Sequence, residues 1–357
     1  MKYIVILFLL ISSVYSKTPS LEYMISQMIM VGVGGSKPSE KWVKQLKRDI
    51  ENEKIGGVIL FGNNIENPKQ LLKLTTYLSS VKTKNPLFIA IDQEGGKVQR
   101  LSEKNSFHSY DAAFELARNK TLTQTYETYE KMANELKEYG FNVNFGPVVD
   151  LNINPNSPAI GAKKRAYSDQ EEIVVAYATE FINAHKSRGI ITVLKHFPGH
   201  GSAKKDSHKD LTDVSTTWQY KELKPYYDLI KYDRVDAIMV GHISLDKFDK
   251  IYPASLSKNT IKGLLRNKLE FQGVVFSDDM RMKAISDRYT LKESVKLAIN
   301  ADVDVLVFSS YFTKKSSVIK EVTDIILEAV KKGEIKKEEI IDSYERVVKL
   351  KGKYDIN

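Results

Sequence analysis

Eight short runs rich in β-branched and aromatic residues recur along the chain, and this repetition limits the fold more than any other feature. They read "MIMVGV" from Met28, "GGVILFG" from Gly56, "PLFIAID" from Pro86 and "FNVNFG" from Phe141, then "ITVLKH" from Ile191, "DAIMVGH" from Asp236, "GVVFSD" from Gly273 and "DVDVLVFS" from Asp302. Each run is nearly continuous in apolar character rather than alternating. Strands with that pattern are buried on both faces, as in a parallel sheet covered by helices. Stretches with helical apolar spacing lie between them, at 40–52, 69–81, 126–139, 171–187, 219–231, 258–269 and 318–331. Eight strands alternating with helices in 357 residues predict a single α/β domain, a (β/α)8 barrel of TIM type. A last helix near 336–351 is expected to close it. The competing arrangement is an open doubly wound sheet, but no Gly-rich dinucleotide fingerprint follows an early strand.

Polar residues gather at the ends of these runs. Asp92 ends the third, Lys195 and His196 the fifth, His242 the sixth and Asp278 the seventh. In a barrel the strand C-termini share one rim, and the rim carries the active site. Residues far apart in sequence are thereby predicted to converge.

Three segments hold side chains suited to chemistry. In "DQEGGKVQR", Gly95 and Gly96 permit a tight turn, Asp92 offers two acceptors and Arg100 a forked donor. Such a pair clasps adjacent sugar hydroxyls or forms a structural ion pair at the rim, with Glu94 in support. In "FSDDM", Ser277 or Asp278 is placed to cap a following helix, with Asp279 in its first turn. Alternatively, Asp278 is a carboxylate nucleophile at a strand end. The third segment, "KHFPGHGSAKKDSH", concentrates three of the chain's six histidines. His196, His200, Asp206 and His208 could ligate a metal, yet their spacing is not that of a helical zinc motif, and the first strand lacks a ligand pair. The other reading is a proton-transfer dyad of Asp206 and His208. An imidazole titrates near neutrality, and a neighbouring carboxylate favours its charged form and orients the ring.

The remaining composition narrows the setting. "MKYIVILFLLISSVYSK" has a lysine, an apolar run over residues 4–11 and small polar residues after it. This is the layout of a secretory signal peptide over residues 1–16, against the alternative of a buried N-terminal strand or helix. The expected mature chain, 17–357, is then exported to the periplasm or beyond. No second apolar run suggests a transmembrane segment in it. The chain has no cysteine, so disulfides are excluded. Its net charge of +9 is scattered, without the basic stripe and interleaved aromatics of a nucleic-acid-binding surface.

Taken together, "KHFPGHGSAKKDSH", "IDQEGGKVQRL", "VNFGPVVDLN", "HISLDKFDKIYPASLS" and "GVVFSDDM" resemble glycoside hydrolase family 3, specifically its single-domain β-N-acetylglucosaminidase branch. The resemblance runs from about Met24 to Phe308 and implies a (β/α)8 catalytic barrel. It implies a retaining hydrolase acting on terminal β-linked GlcNAc in glycans or muropeptides, with peptidoglycan fragments the usual substrates and no metal or cofactor. Residue by residue, it implies Asp278 as nucleophile, His208 as general acid/base and Asp206 as its partner. Asp92, Arg100, Arg165, Lys195 and His196 would hold the sugar ring. One departure is "AIGAKKRAYS", which carries two extra residues before Arg165. Two readings from other classes stand beside this one: a metal-dependent barrel hydrolase built on the histidine cluster, and a GlcNAc-binding protein without turnover.

Overall fold

In the computed structural model the chain is described over residues 18–206, 210–312 and 317–354. The leader-like segment and His208 lie outside the described residues. All eight apolar runs form strands: β1 (Ile29–Gly32), β2 (Gly57–Leu60), β3 (Phe88–Ile91), β4 (Val143–Asn144), β5 (Ile191–Phe197), β6 (Ala237–Val240), β7 (Val274–Ser277) and β8 (Leu306–Phe308). Neighbours pair in parallel in the order β8-β1-β2-β3-β4-β5-β6-β7. A parallel bridge from Phe276 to Val305 joins β7 to the entry of β8 and completes the ring. This is the expected (β/α)8 barrel.

Every residue of β1, β2, β3, β5, β6 and β7 is buried, which is why the runs are continuous rather than alternating. Successive side chains point to opposite faces. Met30, Ile59, Phe88, Val193, Met239 and Phe276 fill the interior. Their neighbours Val31, Val58, Ile89, Leu194, Ile238 and Val275 pack outward under the helices. Each such side chain contributes about 1.5–3 kcal/mol by leaving water.

The outer layer comprises α1 (Leu21–Gln27), α2 (Lys41–Glu51), α3 (Pro68–Ser79), α4 (Ala113–Asn119), α5 (Leu122–Glu138), α6 (Glu171–Lys186), α7 (Lys224–Lys231), α8 (Lys283–Ser286), α9 (Leu291–Asn300), α10 (Val318–Lys331) and α11 (Lys337–Lys353). Local chemistry starts several of them. The Asn67 side chain caps α3, which has Pro68 in its first turn. Reciprocal capping boxes, Thr121 with Gln124 and Thr290 with Glu293, open α5 and α9.

Two expected helices take a different form. The 219–231 stretch splits into a 3-10 turn (Tyr220–Leu223) and α7, and the 258–269 stretch winds as a π-helix over Asn259–Lys268. Among the described residues, no helix is long and apolar enough to cross a membrane.

Candidate active site

The C-terminal ends of β3, β4 and β5 bring one ionic network together. Asp92 follows β3 directly, Glu94 lies in the turn beyond it, and Lys195 and His196 belong to β5 itself. Because β5 is buried throughout, Lys195 and His196 must find partners inside the protein. Lys195 Nζ lies 2.8 Å from Asp92 Oδ1 and 2.6 Å from Glu94 Oε1. The Arg100 guanidinium reaches Asp92 Oδ2 at 3.2 Å. Arg165 binds Glu94 through two N–H groups, at 2.8 and 2.7 Å, and donates a third bond to the Ala159 carbonyl at 2.9 Å. Arg165 thus belongs to the network.

His196 closes the other flank. Its Nδ1 is 2.8 Å from Asp150 Oδ2, and its Nε2 is 3.5 Å from the Arg165 guanidinium. Asp150 Oδ1 also accepts the backbone N–H groups of His196 (3.2 Å) and His200 (2.8 Å). Three carboxylates, Asp92, Glu94 and Asp150, thus face three fixed cations, Arg100, Arg165 and Lys195.

Burial pushes the Asp92 carboxyl up, but the Lys195 and Arg100 charges outweigh it and hold it well below the usual carboxylate range. Burial opposes ionisation of Glu94 as well; Arg165 and Lys195 prevail and bring it down to about 2. Asp150 is lowered too, against its burial, by His196. All three are therefore acceptor-only groups near neutral pH. Their exposure differs. Asp92 and Arg100 keep 16% and 29% of their side chains open, whereas Lys195, Glu94 and Arg165 keep 2%, 7% and 7%. Asp92 and Arg100 form the more exposed edge of the network, an acceptor beside a forked donor, and the other three lie deeper.

The "FSDDM" pair divides its work. Asp279 Oδ1 accepts the N–H groups of Arg281 (3.0 Å) and Ser309 (2.8 Å), tying the β7 exit to the β8 exit. Asp278 stands half-buried at the rim, with Oδ1 accepting the Asp279 N–H at 2.8 Å. Neither Ser277 nor Asp278 caps a helix, because α8 does not begin until Lys283. Ser277 Oγ instead accepts the Val307 N–H at 3.0 Å. His242, two residues past β6, is fully buried between Ser255 Oγ (2.6 Å) and the Asp279 carbonyl (2.9 Å), where it braces Asp279.

Asp206 is the last described residue before His208, and Lys163 Nζ approaches its Oδ2 at 3.8 Å. His200 is buried, and burial brings its imidazole down to about 4. Among the described residues, no three His, Asp or Glu side chains are grouped to hold a metal. His196 is engaged by the Asp150 carboxylate on one ring nitrogen and faces the Arg165 guanidinium on the other.

Residues 20–350 match the glycosyl hydrolase family 3 N-terminal domain. The chain belongs to glycosyl hydrolase family 3. Beta-hexosaminidase A of Pseudoalteromonas piscicida is 31% identical over 338 residues, covering 87% of this chain and 55% of that protein. The beta-hexosaminidase of Tolumonas auensis is 35% identical over 260 residues, covering 72% of this chain and 76% of its relative. Among solved structures, a glycoside hydrolase family 3 beta-N-acetylglucosaminidase from Paenibacillus sp. str. FPU-7 superposes with a TM-score of 0.86 at 33% identity, over 95% of this chain and 63% of that one. The chain therefore spans little more than half the length of the first of these relatives.

For this family 3 chain the sequence reading passed over Asp150 and gave Glu94 only a supporting part. In "PVVD" Asp150 lies six residues past the fourth strand, whereas "AID" and "FSD" put their aspartates directly after the third and seventh, so no strand end marked it.

Proposed function

We propose that this family 3 chain is a retaining exo-β-N-acetylglucosaminidase that releases terminal β-linked N-acetylglucosamine, as found in peptidoglycan fragments. The observation that carries the reading is the ionic network at the ends of β3 to β5, with Asp278 on the same rim. Asp92 presents acceptors and Arg100 donors to adjacent ring hydroxyls, which fixes the sugar over the barrel mouth. The names borne by similar proteins, beta-hexosaminidase and beta-N-acetylglucosaminidase, supply the substrate class.

In the first step a carboxylate oxygen of Asp278 attacks the anomeric carbon. The glycosidic C–O bond breaks, and its electron pair goes to the leaving oxygen, which takes a proton from the His208 imidazolium. In the second step water attacks the same carbon, neutral His208 accepts the water's proton, and Asp278 departs as carboxylate. Asp206 favours the charged imidazolium by its own charge. A histidine in this role also avoids placing a second anion beside the nucleophile.

The test is hydrolysis of an aryl β-N-acetylglucosaminide and the matching aryl β-glucoside, each with and without a chelator. The acetamido substrate should be strongly preferred, with rates indifferent to the chelator. Comparable kcat/KM on the glucoside would overturn the substrate class, and loss of activity with the chelator would restore the metal-dependent alternative.

A further inference from the structure

The loop that leaves β5, from Pro198 to Asp206, is gripped on two sides. On the side of β4, Asp150 takes the His200 N–H, the Asn154 N–H donates to the Gly201 carbonyl at 3.1 Å, and the Asn154 side chain donates to the Ala203 carbonyl at 2.9 Å. The fit there is close enough that a Cβ on Gly201 would lie 1.6 Å from the Leu151 carbonyl oxygen.

The opposite grip comes from the segment that enters α7. Trp218 Nε1 donates to the Pro198 carbonyl at 3.0 Å, and Glu222 Oε2 accepts the Gly201 N–H at 3.1 Å. Glu222 is fully buried, and its second oxygen closes the capping box of its own turn on the Gln219 N–H at 3.2 Å. Gly199 adopts φ +120°, and a Cβ there would stand 2.7 Å from Glu222 Cβ. Backbone and carboxylate are thus packed against each other with no slack. An acid in an apolar interior is costly, and this one is retained where it satisfies two backbone N–H groups on two different segments.

We propose that Glu222 and Trp218 are positioning residues for the proton-transfer step: they fix the stem of the 198–206 loop and thereby where the Asp206 carboxylate stands. Neither touches the substrate. Their effect passes along the loop, and the inference rests on the reading of Asp206 and His208 as the general acid/base pair.

Proton donation matters most when the leaving group is a poor one, such as a sugar alkoxide, and least for a nitrophenolate. A displaced loop should therefore show a leaving-group dependence that general loosening of the barrel would not. The experiment compares kcat/KM on a nitrophenyl β-N-acetylglucosaminide and on a β-linked N-acetylglucosamine disaccharide for Glu222→Gln, Trp218→Phe and His208→Ala, with thermal melting as a fold check. Glu222→Gln keeps the shape and replaces one of the two acceptor oxygens with an N–H donor, so only one of the two backbone N–H groups stays satisfied. Trp218→Phe keeps an aromatic ring while removing the Nε1 donor and part of the ring's buried volume, so it reads the same link should the first variant fail to fold.

Each positioning variant should lose roughly tenfold on the disaccharide and less than about threefold on the nitrophenyl substrate, a weaker copy of the His208→Ala pattern. Equal losses on both substrates, or none, for folded Glu222→Gln and Trp218→Phe would overturn the positioning role while a leaving-group-dependent His208→Ala left the acid/base reading intact. Equal losses for His208→Ala would overturn that reading and this inference with it.

Discussion

Lys195 sits between two carboxylates with 2% of its side chain exposed, and Glu94 is the less obvious of the pair. Asp92 faces the rim, whereas Glu94 faces inward, where it binds Lys195 and both forks of Arg165. Removing one partner of a buried ion pair is far more damaging than the net value of the pair, because the remaining charge is stranded. Glu94→Gln keeps the volume and leaves Arg165 and Lys195 sharing less negative charge. We expect a stability loss of about 3 kcal/mol in urea unfolding. We also expect a KM on the aryl N-acetylglucosaminide raised roughly tenfold with kcat changed less, since the support of the sugar-holding edge fails before the chemistry does. Unchanged stability and KM would show that Asp92 alone satisfies Lys195.

The elements differ in how much of them the sequence displays. Strands were legible because burial on both faces leaves an unbroken apolar run, and Asp92, Lys195, His196 and Asp278 were legible because each terminates such a run. Asp150 lies six residues past a two-residue strand, where no periodicity marks it. Glu222 occupies an amphipathic stretch in which a glutamate reads as solvated. The α4 and α9 helices went unanticipated, although Thr290 and Glu293 at the start of α9 spell a capping box. Lys351 of α11 shows the same limit: its helix was expected, but a lysine there reads as surface.

In the fold, α11 runs under the barrel floor. Lys351 is 1% exposed, donates to Gln27 Oε1 (2.9 Å) and the Gly56 carbonyl (3.0 Å), and lies 4.5 Å from the Phe88 ring centre. Burial pushes its ammonium down to about 7, against roughly 10.4 for a free lysine. Between those values the unfolded chain holds a proton that the folded chain does not. This group's contribution to stability therefore rises with pH from about 7 to 10 and is lost as pH falls back. Lys351→Met removes the titration while filling the site. The stability of wild type minus that of the variant, from urea midpoints at pH 7 and pH 9.5, should increase with pH; a flat difference would mean that Lys351 stays charged throughout.

At the scale of the whole molecule, one geometric fact turns scattered residues into a site: parallel strands closed into a ring put all their C-terminal ends on one face. Asp92, Asp150, Lys195, His196 and Asp278 come from four different strand ends. Around them, Trp218 and Glu222 brace the loop that leaves β5, and His242, just past β6, braces Asp279. The central claim is that this face works through a covalent glycosyl-enzyme on Asp278. The direct measurement is to inactivate the full chain with a slow 5-fluoro N-acetylglucosaminyl fluoride, digest with trypsin and locate the added sugar by mass spectrometry. The account predicts one N-acetylglucosaminyl-derived adduct on peptide 269–281, fragmenting to Asp278. An adduct on Asp279 or on any other carboxylate, or turnover of the reagent with no adduct at all, would contradict it.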